Sequence, residues 1–113
     1  MDLEDALLFD NRDEWRTWLE AHHQDTADIW LVLYKSSARH PGLTLNEATE
    51  EAVCFGWVDS QLKPMDGQRY ALRFSPRRKK SNWAASNIER ALRMLQEGKM
   101  TLAGMAILPE EVL

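Results

Sequence analysis

Between residues 69 and 80 the chain carries Arg69, Arg73, Arg77, Arg78, Lys79 and Lys80 and no acid, although its formal net charge is −4. Four of those cations are consecutive, and Ser81 and Trp83 follow them, just before a segment with helical spacing. A helix N-terminus presents unpaired N–H groups and partial positive charge. Four cations there are unfavourable unless an anion lies among them. A phosphate or carboxylate would be held by the helix N–H groups, Ser81 and the guanidinium groups together, with Trp83 placed to stack on a nearby ring. The ligand-binding candidates are therefore Arg73, Arg77, Arg78, Lys80, Ser81, Trp83 and Asn87. The opposing reading is a solvated basic loop with Trp83 in the core, since charge runs are usually solvated.

Asp59 and Arg73 form a second constellation. A carboxylate beside a guanidinium on a sheet face could orient a ligand or work as an acid–base group, with Asp59 as the candidate general base. Equally, the two could form a plain cross-strand charge pair worth under about 1 kcal/mol. Cys54 is the sole cysteine and precedes a helix end, where a nucleophilic thiolate is not favoured, so it reads as buried and structural. It also rules out a disulfide or a cysteine zinc site within one chain. His22, His23 and His40 lack metal-ligand spacing, so no metal and no cofactor is expected. Phosphate-binding glycine loops, nucleophile elbows and calcium loops are missing from the sequence.

These residues need elements to position them. Residues 11–22 read as a helix, with Asn11 and Glu14 in capping-box spacing and Trp15, Trp18, Leu19 and His22 on one face. Residues 28–35 read as a strand that is apolar on both faces, hence central and covered on both sides. Thr44 and Glu47 form a full capping box, with Leu43 and Ala48 at the staple positions. The helix that follows should turn Leu45, Ala48, Ala52 and Phe55 inward and Glu50 and Glu51 outward, ending at Gly56. Two strands, 57–63 and 68–75, come next. A three-residue loop, Met65-Asp66-Gly67, puts Val58, Leu62, Tyr70, Leu72 and Phe74 on one face, and burial of such side chains at about 1.5–3 kcal/mol each outweighs a preference for a two-residue turn. That register sets Asp59 across from Arg73. A long helix over 82–97, capped by Ser81 and stopped by Gly98, should bury Ala84, Ile88, Ala91, Leu92 and Leu95. A short helix capped by Thr101 and ended by Pro109 closes the chain. The fold expected is α+β: a small, mostly antiparallel sheet of about three strands packed with three to four helices in a single domain over 1–113.

Several stretches, in order and over nearly the whole chain, carry a family likeness. They are Glu14-Trp15-Arg16-Thr17-Trp18-Leu19, Ile29-Trp30-Leu31-Val32, Cys54-Phe55-Gly56-Trp57-Val58-Asp59-Ser60, and Arg73-Phe74-Ser75-Pro76-Arg77-Arg78 with Ser81, Trp83 and Asn87 behind it. Gly98-Lys99-Met100-Thr101 completes the set. In these the chain resembles the bacteriocin-protection family, also called YdeI/OmpD-associated. Ala84 stands where such proteins usually carry serine. The resemblance implies no established catalytic mechanism.

Hydrophobic residues make up 44% of the 113 and charged residues 28%, the balance of a soluble globule. The opening Met1-Asp2-Leu3-Glu4-Asp5 is acidic where a secretory signal is basic then apolar, and no apolar run approaches the roughly 18 residues of a membrane span. The cytoplasm is the expected compartment, with no membrane partner. Four functions compete. The leading one is a binding module for a small anionic ligand. A nucleic-acid-binding module would use the same segment and show a steep salt slope. An enzyme would use Asp59 as general base. An interaction domain would offer a protein partner the acidic first helix, and charge reversal at Glu14 or Glu20 would abolish capture.

Overall fold

A computed structural model describes residues 6–36, 42–78 and 83–109. Its element order is α1 (Arg12–His22), β1 (Ile29–Tyr34), α2 (Leu45–Cys54), β2 (Trp57–Pro64), β3 (Arg69–Pro76), α3 (Ala85–Gln96) and α4 (Leu102–Ile107). The three strands form one antiparallel sheet in the order β1-β3-β2. The α+β expectation therefore holds. The central strand, however, is β3 and not β1. Both faces of β1 are indeed buried, but its outer edge is met by the backbone at Leu7, whose N–H donates to the Trp30 carbonyl at 2.8 Å and whose carbonyl accepts from Val32 at 2.8 Å.

Local chemistry starts most of the helices. The Asn11 side chain accepts from the Glu14 N–H at 3.0 Å, and the Glu14 carboxylate accepts from the Asp10 N–H at 2.9 Å, one residue earlier than a standard box. At α2 both arms of the box close on Thr44 and Glu47. Gly56 and Gly98 end α2 and α3 at φ 76° and 75°, left-handed conformations that glycine adopts without Cβ strain. The start of α3 differs from expectation. It begins at Ala85 with Ala84 as N-cap and no side-chain cap bond, while Ser81 lies outside the described residues. The buried stripe of α3 also shifts: Ala91 and Met94 are buried, whereas Ala84 and Leu92 are exposed.

The largest correction concerns α2. Leu45 is exposed, and Glu50 and Glu51, expected outside, are 6% and 2% exposed. The reason is that α2 lies between α1 and α3, so its polar side faces arginines and not water. Glu51 accepts from Arg12 Nε at 2.8 Å and again from its Nη2, and from Arg16 Nη1 at 2.9 Å. Glu50 pairs with Arg12 Nη2 at 2.9 Å and Arg93 Nη2 at 2.5 Å. Burial alone would raise the Glu50 pKa, but hydrogen bonds from Arg93 and Arg12 hold it below the usual carboxylate range. The network fixes α3 against α2. The apolar core lies beside it, around Trp15, Leu19, Leu31, Leu72 and Phe74. Trp15 donates its Nε1–H to the Ala48 carbonyl at 3.0 Å.

The β2–β3 hairpin carries the irregularity that matters most for function. Near the turn, Leu62, Lys63 and Pro64 pair with Leu72, Ala71 and Tyr70. Farther out, Trp57, Val58 and Asp59 pair with Pro76, Ser75 and Phe74. The register shifts between Asp59 and Leu62, so Ser60 and Gln61 stand opposite Arg73 as a β-bulge. Residues paired directly across an antiparallel ladder point to the same face. Trp57 and Asp59 thus share the helix-covered face of Phe74, while Val58 goes to the other face. The three-residue loop and the straight ladder expected from the sequence are both wrong: Pro64 pairs with Tyr70, which leaves residues 65–69 between them, and Asp59 does not oppose Arg73. Leu62 shares the face of Leu72 as expected, yet it is 58% exposed.

Candidate functional site

The bulge delivers Asp59 into a small cavity between the sheet, α2 and α3. Thr49 from α2, Asp59 from β2, Arg77 just past β3 and Asn87 from α3 line it, over an apolar floor that includes Ala52, Val53 and Phe74. Its volume is about 10 Å³, room for one water-sized group.

Arg77 is set by the backbone. Its N–H donates to the Gly56 carbonyl at 2.8 Å, which extends the β2–β3 ladder past the strand end. The residue is 9% exposed, and its Cζ lies 4.0 Å from the centre of the Trp83 ring. Stacking on an aromatic face suits a weakly hydrated guanidinium. Burial lowers the Arg77 pKa, and the Asp59 charge works in the opposite direction. Arginine nonetheless stays charged. Burial first, and the Asp59 charge second, also raise the Tyr70 pKa.

Asn87 is oriented by a residue the sequence reading overlooked. Arg90 Nη1 donates to Asn87 Oδ1 at 2.7 Å. Arginine has donors only, so the amide oxygen must be the atom turned toward it. The amide Nδ2, with two N–H donors, is the end that Arg90 does not engage. The i, i+3 spacing of Asn87 and Arg90 on a helix is the signal that reveals this pair.

The structure thus brings Arg77, Trp83 and Asn87 together and adds Asp59. It does not bring Arg73 to them. Arg73 lies on the opposite sheet face, where its Nε donates to Asp28 at 3.1 Å and its Nη2 bonds the same oxygen. The Asp59–Arg73 pair is replaced by Asp59 with Arg77, because the bulge turns Asp59 away from Arg73. Arg78 is exposed. Lys80 and Ser81 lie outside the described residues. Cys54 is fully buried, and burial raises its thiol pKa against the opposing pull of Arg16, so its structural reading agrees with its surroundings.

Around this geometry the chain matches, over residues 7–107, the family described as a domain of unknown function (DUF8412), and it belongs to that family. No curated protein and no solved structure matches the chain. Among the described residues no helix is long and apolar enough to cross a membrane.

Proposed function

We propose that this protein binds a small anionic group, phosphate- or carboxylate-bearing, at the cavity between Arg77, Asn87 and Asp59. One observation carries this reading. A buried arginine held on an aromatic ring lines one cavity with an asparagine whose amide oxygen is engaged by Arg90, which leaves its N–H donors for a ligand. Such pre-placed donors lose little freedom when they take an oxyanion. Arg78, the next residue in the chain, is exposed. The likeness to the bacteriocin-protection family is part of this reading, since Arg77, Trp83 and Asn87 all lie in the stretches that carry it. The cytoplasm is the compartment it assumes. The same basic segment serves nucleic acid less well, because Arg73 is turned to the other face of the sheet and the Trp83 ring is already covered by Arg77. Catalysis with Asp59 as general base ranks below binding: the hydroxyl that lines the cavity with Asp59, Thr49, gives its hydrogen to the Leu45 carbonyl at 2.9 Å.

The test is an amide NMR titration of the labelled protein with phosphate, then a mononucleotide, then a short single-stranded oligonucleotide, at low and moderate salt. Shifts should gather on residues 57–59, 77–78 and 83–90, survive moderate salt, and disappear in Arg77→Met but not in Arg78→Met. Phosphate shifts scattered over the surface, or unchanged in Arg77→Met, would overturn the reading.

A further inference from the structure

Resting on the anion-binding reading above, we propose that the cavity selects an oxyanion that still carries a proton, namely hydrogen phosphate or the monoanion of a phosphate monoester. Sulfate and phosphodiesters, which have no proton to donate near neutral pH, are rejected. The selection follows from the donor and acceptor inventory of the walls. Arg77 offers donors only. Asn87 offers its Nδ2–H donors, because its oxygen is turned toward Arg90 at 2.7 Å. Asp59, when ionised, accepts only. The Thr49 hydroxyl gives its hydrogen to the Leu45 carbonyl at 2.9 Å and so can only accept in the cavity.

A fully deprotonated oxyanion can accept from Arg77 and Asn87 but meets Asp59 with like charge and no hydrogen to share. A P–OH group donates that hydrogen. It converts the clash into a charge-assisted hydrogen bond while its own oxygen accepts from the two donors. The cavity of about 10 Å³ admits one oxygen-sized group. One terminal oxygen therefore enters, and any ester substituent stays outside. Asp59 reaches this position only because two residues, Ser60 and Gln61, stand opposite Arg73. The bulge is thus the element that builds the selectivity.

Calorimetric titration of the full chain at about pH 6, where a monoester is half protonated, decides the matter. The probes are inorganic phosphate, glycerol 2-phosphate, sulfate and dimethyl phosphate, against the wild type and Asp59→Asn. Wild type should bind phosphate at least about tenfold more tightly than sulfate or the diester. In Asp59→Asn the side-chain amide can donate to a bare oxygen, so sulfate binding should appear and the discrimination fall below about threefold. Tighter binding of glycerol 2-phosphate than of phosphate makes a phosphorylated small molecule the ligand, and the reverse makes it free phosphate; both support selection by the proton. Equal binding of sulfate and phosphate to wild type overturns the selection and leaves the anion site standing. Binding of no probe overturns both. If Asp59→Asn does not fold, the wild-type comparison of phosphate with sulfate still decides.

Discussion

Asn87 illustrates how a single contact can set the polarity of a site. With Arg90 in place its oxygen is engaged and its N–H pair is available; without Arg90 the amide is free to turn over. Arg90→Met should therefore weaken phosphate binding about fivefold, the effect of one hydrogen bond. The change in stability should stay within about 1 kcal/mol, and affinity should recover in part in Arg90→Lys. Unchanged phosphate affinity in Arg90→Met would show that Asn87 needs no such positioning. Gly104 is a different kind of residue constraint. A Cβ there would lie 2.4 Å from the Cys54 carbonyl oxygen, and backbone cannot give way as a flexible side chain can. Gly104→Ala should cost about 2–3 kcal/mol in urea unfolding. Gly67→Ala, with nothing within 4 Å, should stay within about 0.5 kcal/mol. Equal midpoints for the two variants would contradict the close docking of α4 on α2.

At the scale of elements, α1, α2 and α3 are joined by Arg12, Arg16, Arg93, Glu50 and Glu51. Removing one partner of a buried pair leaves the other uncompensated. Glu51→Gln should lower stability by about 3 kcal/mol, measured by denaturant titration, and a loss under about 1 kcal/mol would mean that the arginines find water. Glu50 adds a pH dependence. Its folded pKa is depressed, so its contribution is complete above the unfolded carboxyl value of about 4.3. The contribution is lost as pH falls below that value, and Glu50→Gln should flatten the melting-temperature profile there. This network also marks the limit of what could be read in the residues. Asn11, Thr44, Thr101, Gly56 and Gly98 announced their helix ends because capping acts over three or four residues. The unbroken apolar run of β1 showed its two buried faces. Glu50 and Glu51 looked like a solvated face because their partners lie 35 to 43 residues away along the chain. The central position of β3, the cover that Leu7 gives β1, and the bulge at Ser60 and Gln61 are pairing facts of the same long-range kind. Arg77, Trp83 and Asn87 were legible from their types and nearness in sequence. That Asp59 joins them in place of Arg73 was not, since one extra residue in a ladder reverses a face.

For the molecule as a whole, the question is whether its cations act together or separately. Arg12, Arg16 and Arg93 are bound by Glu50 and Glu51, Arg69 by Asp66, and Arg73 by Asp28. Arg77 is buried on Trp83 within reach of the Asp59 charge. The run that looks like one basic stripe in sequence is thus divided between two sheet faces, with Arg69 and Arg73 matched by acids. The chain as a whole carries −4. Nucleic-acid binding draws its strength from several phosphates neutralised at once, each releasing counterions. A phosphodiester backbone, besides, brings no proton for Asp59. A short single-stranded oligonucleotide should therefore bind weakly at low salt and be released by about 150 mM salt, with a log–log salt slope shallower than about −1.5, corresponding to roughly two contacts. Phosphate held at a single compact site should lose far less affinity over the same range. A steep oligonucleotide slope would mean that the cations converge on one strand in solution, and the basic segment would then belong to a nucleic-acid interface in place of a pocket for one protonated oxyanion.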